Sequence, residues 1–280
     1  MLFSIITVCF NSAKTIRQTF DSVLQQQCKD YEYIVVDGAS TDGTVDIIKE
    51  YEPKFEGRMR WISEPDKGIY DAVRKGFAMS SGEVLAWIGS DDVYMPNAFK
   101  VVRDIFERCS QVQWLTGEML HVLEDGTLCD AAPSHGWCYR DFCMKKAFFV
   151  QQESTFWRRS LWEANKNAFG NLRYAGDYAL WLNFARGARL YVLPVLLAAF
   201  RIRNGQTSAV HMQDYMEEVE KVCRKELLML PRKLRMTWRF YDWARGRRFI
   251  GRFVRKLEHR CRMGSQQFFF NPETQRFELR

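Results

Sequence analysis

Tyr31-Glu32-Tyr33-Ile34-Val35-Val36 is a short run of aromatic and β-branched residues, ended by Asp37-Gly38-Ala39-Ser40-Thr41-Asp42-Gly43. After it, Thr44 to Tyr51 carries apolar side chains at helical spacing. A buried strand, a polar turn and a helix in that order make one βα unit, and the unit recurs on both sides. Upstream, Phe3 to Cys9 is a continuous apolar run, and Ser12 to Gln27 places Ile16, Phe20, Val23 and Leu24 on one helical face. Downstream, Met59 to Ser63 predicts a strand, Ile69 to Met79 a helix and Glu83 to Ile88 a further strand. Pro96 then opens a helix running to about Arg108. This alternation predicts an α/β fold with a mostly parallel central sheet covered on both faces. In such sheets ligands bind beyond the carboxyl ends of the strands. The places to look for chemistry are therefore Asn11, Asp37 to Asp42, Glu64 to Lys67, and Ser90 to Asp92.

Past residue 110 the alternation loosens. Trp114 to Val122 reads as a strand with Glu124-Asp125-Gly126 as its turn, and Gln152 to Trp157 as a strand before a helix from Ser160. Asp177 to Arg186 reads as a short helix, and Leu190 to Phe200, interrupted by Pro194, as a buried strand. The expected organisation is a domain over 1–210, with halves 1–110 and 111–210, followed by a helical, basic C-terminal extension over 211–280. In that extension Met212 to Met229 is mixed in charge and Lys233 to Arg262 is basic.

Composition removes several classes. With 47% hydrophobic and 27% charged residues, the chain is neither disordered nor fibrous. No apolar stretch reaches the roughly 18 to 20 residues of a membrane span. Met1 to Phe10 lacks a positive leader and a small-residue cleavage site, so it reads as a first strand and not a signal peptide. None of the eight cysteines forms a C-x-x-C pair, which fits reduced thiols better than a zinc or redox site. The turn Cys9-Phe10-Asn11-Ser12 has no G-x-G-x-x-G, which removes a dinucleotide-binding dehydrogenase. Charge is uneven. Residues 232–262 hold a net +10 against +7 for the whole chain, so the remainder is acidic. Trp238, Trp243, Phe249 and Phe253 are interleaved with these basic residues. The pattern suits an anionic membrane surface or a solvated helix packed on the domain. It carries no nucleic-acid motif.

Ser90-Asp91-Asp92 follows a buried strand directly. Acids at a strand end can hold Mg²⁺ or Mn²⁺, because hard cations take one or two carboxylates plus phosphate oxygens. Alone, the pair equally suits the start of a helix. Asp42 and Thr44 read best as turn and cap, and Asp37, at a strand end, as a ligand.

These residues together resemble family 2 of the inverting glycosyltransferases of the GT-A fold, from bacterial surface polysaccharide assembly (lipopolysaccharide or capsule). The resemblance rests on Ser4 to Asn11, Val35 to Thr44, Ser63-Glu64-Pro65-Asp66-Lys67-Gly68-Ile69-Tyr70-Asp71-Ala72, and Ser90-Asp91-Asp92, and covers about 1–210. It implies transfer of a sugar, with inversion, from a nucleotide-sugar donor of the UDP type to a hydroxyl of a glycan or lipid-linked oligosaccharide. The alternative is a non-catalytic nucleotide-sugar-binding or scaffold protein of the same fold. It also implies that Thr7, Phe10, Asn11, Asp37, Asp66, Lys67 and Asp91 contact the nucleotide sugar. Asp92 is the implied metal ligand, with Asp91 and His211 as further candidates. Asp177 is the implied general base, although its place at a helix start also reads as a cap. Gln152 to Arg159 and Arg201 to Ser208 resemble acceptor-side segments. Two departures stand out. Gly176 occupies a position where the family often has Glu, and Arg74 one where it commonly has Asn. The implied location is the bacterial cytoplasm, peripheral on the inner face of the membrane.

Overall fold

The structure is a computed structural model and describes residues 1–147, 150–203, 205–245, 247 and 267–279. Its first half is the predicted alternation: β1 (Phe3–Cys9), α1 (Ile16–Leu24), β2 (Tyr31–Asp37), α2 (Thr44–Tyr51), β3 (Met59–Ser63), α3 (Ile69–Met79) and β4 (Val84–Gly89). A two-residue strand β5 (Val93–Tyr94) precedes α4 (Ala98–Arg108). Helix α4 starts after Asn97, in the left-handed region, so Pro96 lies just outside it and not in its first turn.

Strands β3, β2, β1 and β4 are parallel neighbours in that order. Successive side chains alternate between faces, and both faces are covered. Phe3, Ile5, Tyr33 and Val35 join the core beneath α1, α2 and α4, while Ile6, Val8, Ile34 and Val36 join the core under α3. That is why β1 and β2 read as continuous apolar runs and not as alternating ones.

The second half comprises β6 (Trp114–Leu123), β7 (Leu128–Ala132), α5 (Tyr139–Cys143), β8 (Thr155–Arg158), α6 (Arg159–Asn165) and α7 (Gly176–Gly187). After these come β9 (Leu190–Leu196), β10 (Ala198–Ile202), α8 (Thr207–Val210) and α9 (Met212–Met229). Strand β8 runs antiparallel between β4 and β6 and so continues the sheet. Leu190 to Phe200 is two strands and not one. Before the bend, β9 follows β6 in parallel, and beyond it β10 pairs with both β6 and β5. Helix α9, which opens the extension in the sequence reading, packs into this half. Val219 and Cys223 are buried with Trp181 and Phe142, and Glu226 accepts from Arg186 and Tyr139.

The extension continues with α10 (Arg232–Arg245) and ends in a hairpin, β11 (Phe268–Asn271) with β12 (Arg276–Leu279), which the sequence reading lacked. Phe268 is buried against Tyr191 of β9. Residues 248–266, including Phe249 and Phe253, lie outside the described residues.

Candidate active site

In the strand order β3-β2-β1-β4 the chain reverses direction of growth at β1. The loops after β1 and β4 therefore open next to each other at the carboxyl edge, where ligands bind in sheets of this kind. The Ser12 and Ser90 hydroxyls meet across this point at 2.7 Å and tie the two loops together.

Asp91 and Asp92 stand on the β4 side. A Cβ on Gly89 would lie 2.9 Å from Asp91 Oδ1 and 2.9 Å from Asp92 Oδ2. The glycine is thus what lets two carboxylates converge over the strand end. Asp92 is buried, and its Oδ1 accepts the main-chain N–H of Arg201 at 2.9 Å, leaving Oδ2 without that tether. Burial, then the charges of Asp91 and Glu153, hold the Asp92 carboxyl well above the usual carboxylate range. Asp91 is ion-paired with Arg203, Nε to Oδ2 2.7 Å. Arg201 lies buried beneath, donating to the carbonyls of Asp91, Leu123 and Glu124 and to Gln18. Two converging carboxylates, one held from below, suit a divalent cation shared with phosphate oxygens. No group of three or more His, Cys, Asp or Glu side chains gathers for a metal among the described residues. His211 accordingly does not join the pair. Its ring stacks on Tyr174 at 4.6 Å, and its Nδ1 lies 2.8 Å from Asp214.

The β1–β2 side holds the other candidates. Phe10 is 63% exposed, and it shares a surface with Asp66. A Cβ on Gly38 would sit 2.6 Å from Asp66 Oδ2 and 3.3 Å from the Phe10 ring. Asp66 Oδ1 accepts the Gly68 N–H at 2.8 Å, and Lys67 is exposed beside it. Asn11, in the left-handed region at φ 50°, accepts the Thr41 N–H at 3.0 Å. Asp37 is fully buried, and its oxygens accept from the Ser40 N–H and hydroxyl and from the Ser63 hydroxyl, so it shapes the loop instead of facing the cleft. Thr7 does not reach the cleft either, because its buried hydroxyl pairs with Tyr33 at 2.7 Å. Asp42 accepts from Thr44 and Ala13 and closes the turn, as its sequence context predicts.

Asp177 lies in the first turn of α7. That helix is set against β4 by the stack of Trp181 on Trp87, 5.6 Å between centroids and 7° between planes. Asp177 Oδ1 accepts the Tyr178 N–H at 2.8 Å. The Tyr70 hydroxyl has one proton and two acceptors within reach, the Tyr174 carbonyl at 2.7 Å and Asp177 Oδ1 at 3.2 Å. Burial pushes the Asp177 carboxyl up to about 6. Both departures from the family pattern find partners here. A Cβ on Gly176 would meet the Tyr70 ring at 2.7 Å, and Arg74 donates to the Gly170 carbonyl at 2.6 Å instead of facing the nucleotide side.

The sequence reading gave no individual role to Tyr70, Arg201, Glu218 or Glu153, although Tyr70 lies in a quoted motif and Arg201 and Glu153 in the acceptor-side segments. The first three act through contacts far apart in the chain. Glu153 is 3% exposed, and burial, followed among the neighbouring charges by Asp91 and Asp177, lifts its carboxyl to about 8.

The fold and this edge define a GT-A-type domain, an α/β sheet with paired acids at the end of its fourth strand. Residues 4–113 match Glycosyl transferase family 2. It is 37% identical over 91 residues to a PGL/p-HBAD biosynthesis glycosyltransferase of Mycobacterium tuberculosis, a match covering 32% of this chain and 36% of that relative. The chain thus spans about a third of the length of these first curated relatives. It is also 29% identical over 219 residues to the putative teichuronic acid biosynthesis glycosyltransferase TuaG of Bacillus subtilis, covering 74% of this chain and 82% of TuaG. In structure it is similar to S. aureus TarS 1-349 in complex with UDP-GlcNAc. The TM-score is 0.68 and the identity 21%, over 84% of this chain and 69% of that one.

Proposed function

We propose that the chain transfers a sugar from a nucleoside-diphosphate donor to a glycan hydroxyl, with inversion, in the assembly of a bacterial surface polysaccharide. One observation carries the reading: a pair of converging carboxylates stands at the end of β4, and a separate half-buried carboxylate opens the helix that stacks on β4 through Trp181 and Trp87. Asp92 and Asp91 would hold Mg²⁺ or Mn²⁺ together with the donor's diphosphate. The cation would offset the charge that develops on the leaving diphosphate. Exposed Phe10 offers a face for the base, with Asp66, Asn11 and Lys67 around it. The UDP-GlcNAc held by TarS makes UDP-sugars the first donors to test.

Asp177 accepts the proton of the attacking hydroxyl. Its carboxyl, ionised above about pH 6, is matched to that task near neutrality. Tyr70 serves both states. Its hydroxyl donates to the carboxylate before transfer, then turns to the Tyr174 carbonyl and accepts from the protonated acid. One base and one leaving group on opposite faces of the sugar invert the anomeric centre without a covalent intermediate.

The acceptor, on this reading, is lipid-linked. On α10, Met236, Phe240 and Trp243 stand exposed at i, i+4 and i+7, with Phe240 and Trp243 stacked at 5.7 Å. Arg232, Lys233 and Arg239 are exposed along the same helix. Trp238 turns inward onto Tyr139 and so does not belong to the membrane-facing set. Among the described residues no helix is long and apolar enough to cross a membrane, so contact would be peripheral.

The test is release of nucleoside diphosphate from a nucleotide-sugar panel with Mn²⁺, with Mg²⁺ and with chelator. Donor binding without any release or transfer would leave the non-catalytic binding protein as the answer.

A further inference from the structure

Glu153 has no part in the scheme above. It is buried, and its Oε1 has no hydrogen-bond partner among the described residues. Folded proteins pair nearly all such atoms, so this orphan calls for an explanation. A slack loop is not the explanation. Gln151 bonds the Leu120 main chain through both ends of its amide, at 3.2 and 3.4 Å. Gln152 donates to the Trp87 carbonyl, and Gly117 N–H to the Ser154 carbonyl at 3.1 Å. The chain is thus fixed on both sides of Glu153.

Its neighbours identify the place. Glu153 feels the charges of Asp91 and of Asp177, and Asp92 feels that of Glu153. No cation forms an ion pair with it among the described residues, since Arg203 pairs with Asp91 and Arg201 is committed to carbonyls and Gln18. A buried acid among acids, without a cation, does not stabilise a fold.

We propose that Glu153 is a specificity-determining residue that hydrogen-bonds a hydroxyl of the sugar being transferred. The proposal rests on the transferase reading, in which that sugar spans from the diphosphate at Asp91 and Asp92 to the acceptor hydroxyl at Asp177. A sugar hydroxyl, itself donor and acceptor, is a partner for a carboxyl oxygen that has none within the fold. A site built to bond a hydroxyl rejects analogues that lack it, because its own group is then left unpaired. Glu153 therefore sorts donors by sugar and not by nucleotide.

The test is calorimetric titration of full-length wild type, Glu153→Gln and Glu153→Ala. The probes are UDP, GDP and dTDP, then UDP-glucose, UDP-N-acetylglucosamine, GDP-mannose and dTDP-rhamnose. Both variants are expected to bind the preferred diphosphate within about twofold of wild type, while the sugar's contribution to affinity falls by roughly tenfold or more. An unchanged sugar contribution, or equal loss of diphosphate and donor binding, would overturn the proposal. So would a wild type whose affinity ignores the sugar. If wild type binds none of the seven probes, the transferase reading itself fails and this inference with it.

Discussion

The main-chain N–H of Ala175 donates to the carboxylate of Glu218 across 2.8 Å, two residues before Asp177. The same carboxylate accepts from Tyr174 at 2.8 Å and Arg173 at 2.9 Å. Glu218 belongs to α9, so that helix fastens the loop that leads into Asp177. Hydrogen bonds to a charged group contribute about 1.5 to 3 kcal/mol, and more than one donor is orphaned when the acceptor goes. Glu218→Ala should cost about 2 kcal/mol of stability and lower kcat about tenfold, with nucleotide affinity unchanged. Denaturant melts and steady-state rates with a fixed donor check this. An unaltered kcat would show that the loop holds without Glu218.

Asp177→Asn should lower kcat by about 10² to 10⁴-fold, the usual contribution of a general base. The wild-type rate should fall below about pH 6, because the protonated acid cannot accept the acceptor's proton. Stability has the opposite sign. A carboxyl raised to about 6 in the fold, against about 3.9 in the unfolded chain, favours the folded state at low pH, and this contribution is lost as pH rises through that window. Tyr70→Phe removes a hydrogen bond to the ionised form, so the pH–rate midpoint should move upward and part of the lost activity should return at pH 8. A midpoint that stays in place would remove Tyr70 from the proton path.

Asp92→Ala should abolish cation-dependent transfer, and it also frees the Arg201 N–H, so a loss of stability of about 1 to 3 kcal/mol should accompany it. Arg203→Ala separates the two effects. It releases Asp91 from its ion pair without touching Asp92, and should alter Mn²⁺ affinity measured in the presence of UDP while leaving the melt in place. Cation-independent activity in Asp92→Ala would refute the metal assignment.

The sheet and its acidic edge were legible because their signals are local. Phe3 to Cys9 and Tyr31 to Val36 are short apolar runs, and Ser90-Asp91-Asp92 follows its strand without a gap. What stayed hidden works across distance. Tyr70 reaches Asp177 over 107 positions, and Glu218 reaches Ala175 over 43. Thr7 and Asp37 occupy motif positions, yet Tyr33, Ser40 and Ser63 take up their polar atoms, and only coordinates reveal that. Leu190 to Phe200 looked like one strand because apolar content does not record the bend between Leu196 and Ala198.

The outward face of α10 should carry membrane attachment. Full-length chain is expected to co-sediment with anionic vesicles at low salt and to detach as salt shortens the screening length. Each basic residue near the surface contributes about 1 kcal/mol. Replacing Phe240 and Trp243 by Ser, two exposed side chains, should weaken binding without changing donor release in solution. Binding that persists in the double variant would transfer the attachment elsewhere in the chain.

The contact of Gly176 with Tyr70 predicts that the common family residue cannot be restored here. A Cβ at 176 would lie 2.7 Å from three atoms of the Tyr70 ring. The ring is not free to retreat, since its hydroxyl is bound to the Tyr174 carbonyl and its face tilts against Phe169 at 4.9 Å. Gly→Ala inside a helix ordinarily gains up to about 1 kcal/mol, whereas forcing atoms into a packed contact costs about 1 to 3 kcal/mol. At the first residue of α7 the clash should win, so Gly176→Ala should be destabilising and Gly176→Glu more so. The two positions should also be coupled. Gly176→Ala in a Tyr70→Ala background should cost less than in wild type, because the ring it would strike is gone. Strict additivity of the two losses in denaturant melts would mean that Gly176 is small for some reason other than Tyr70.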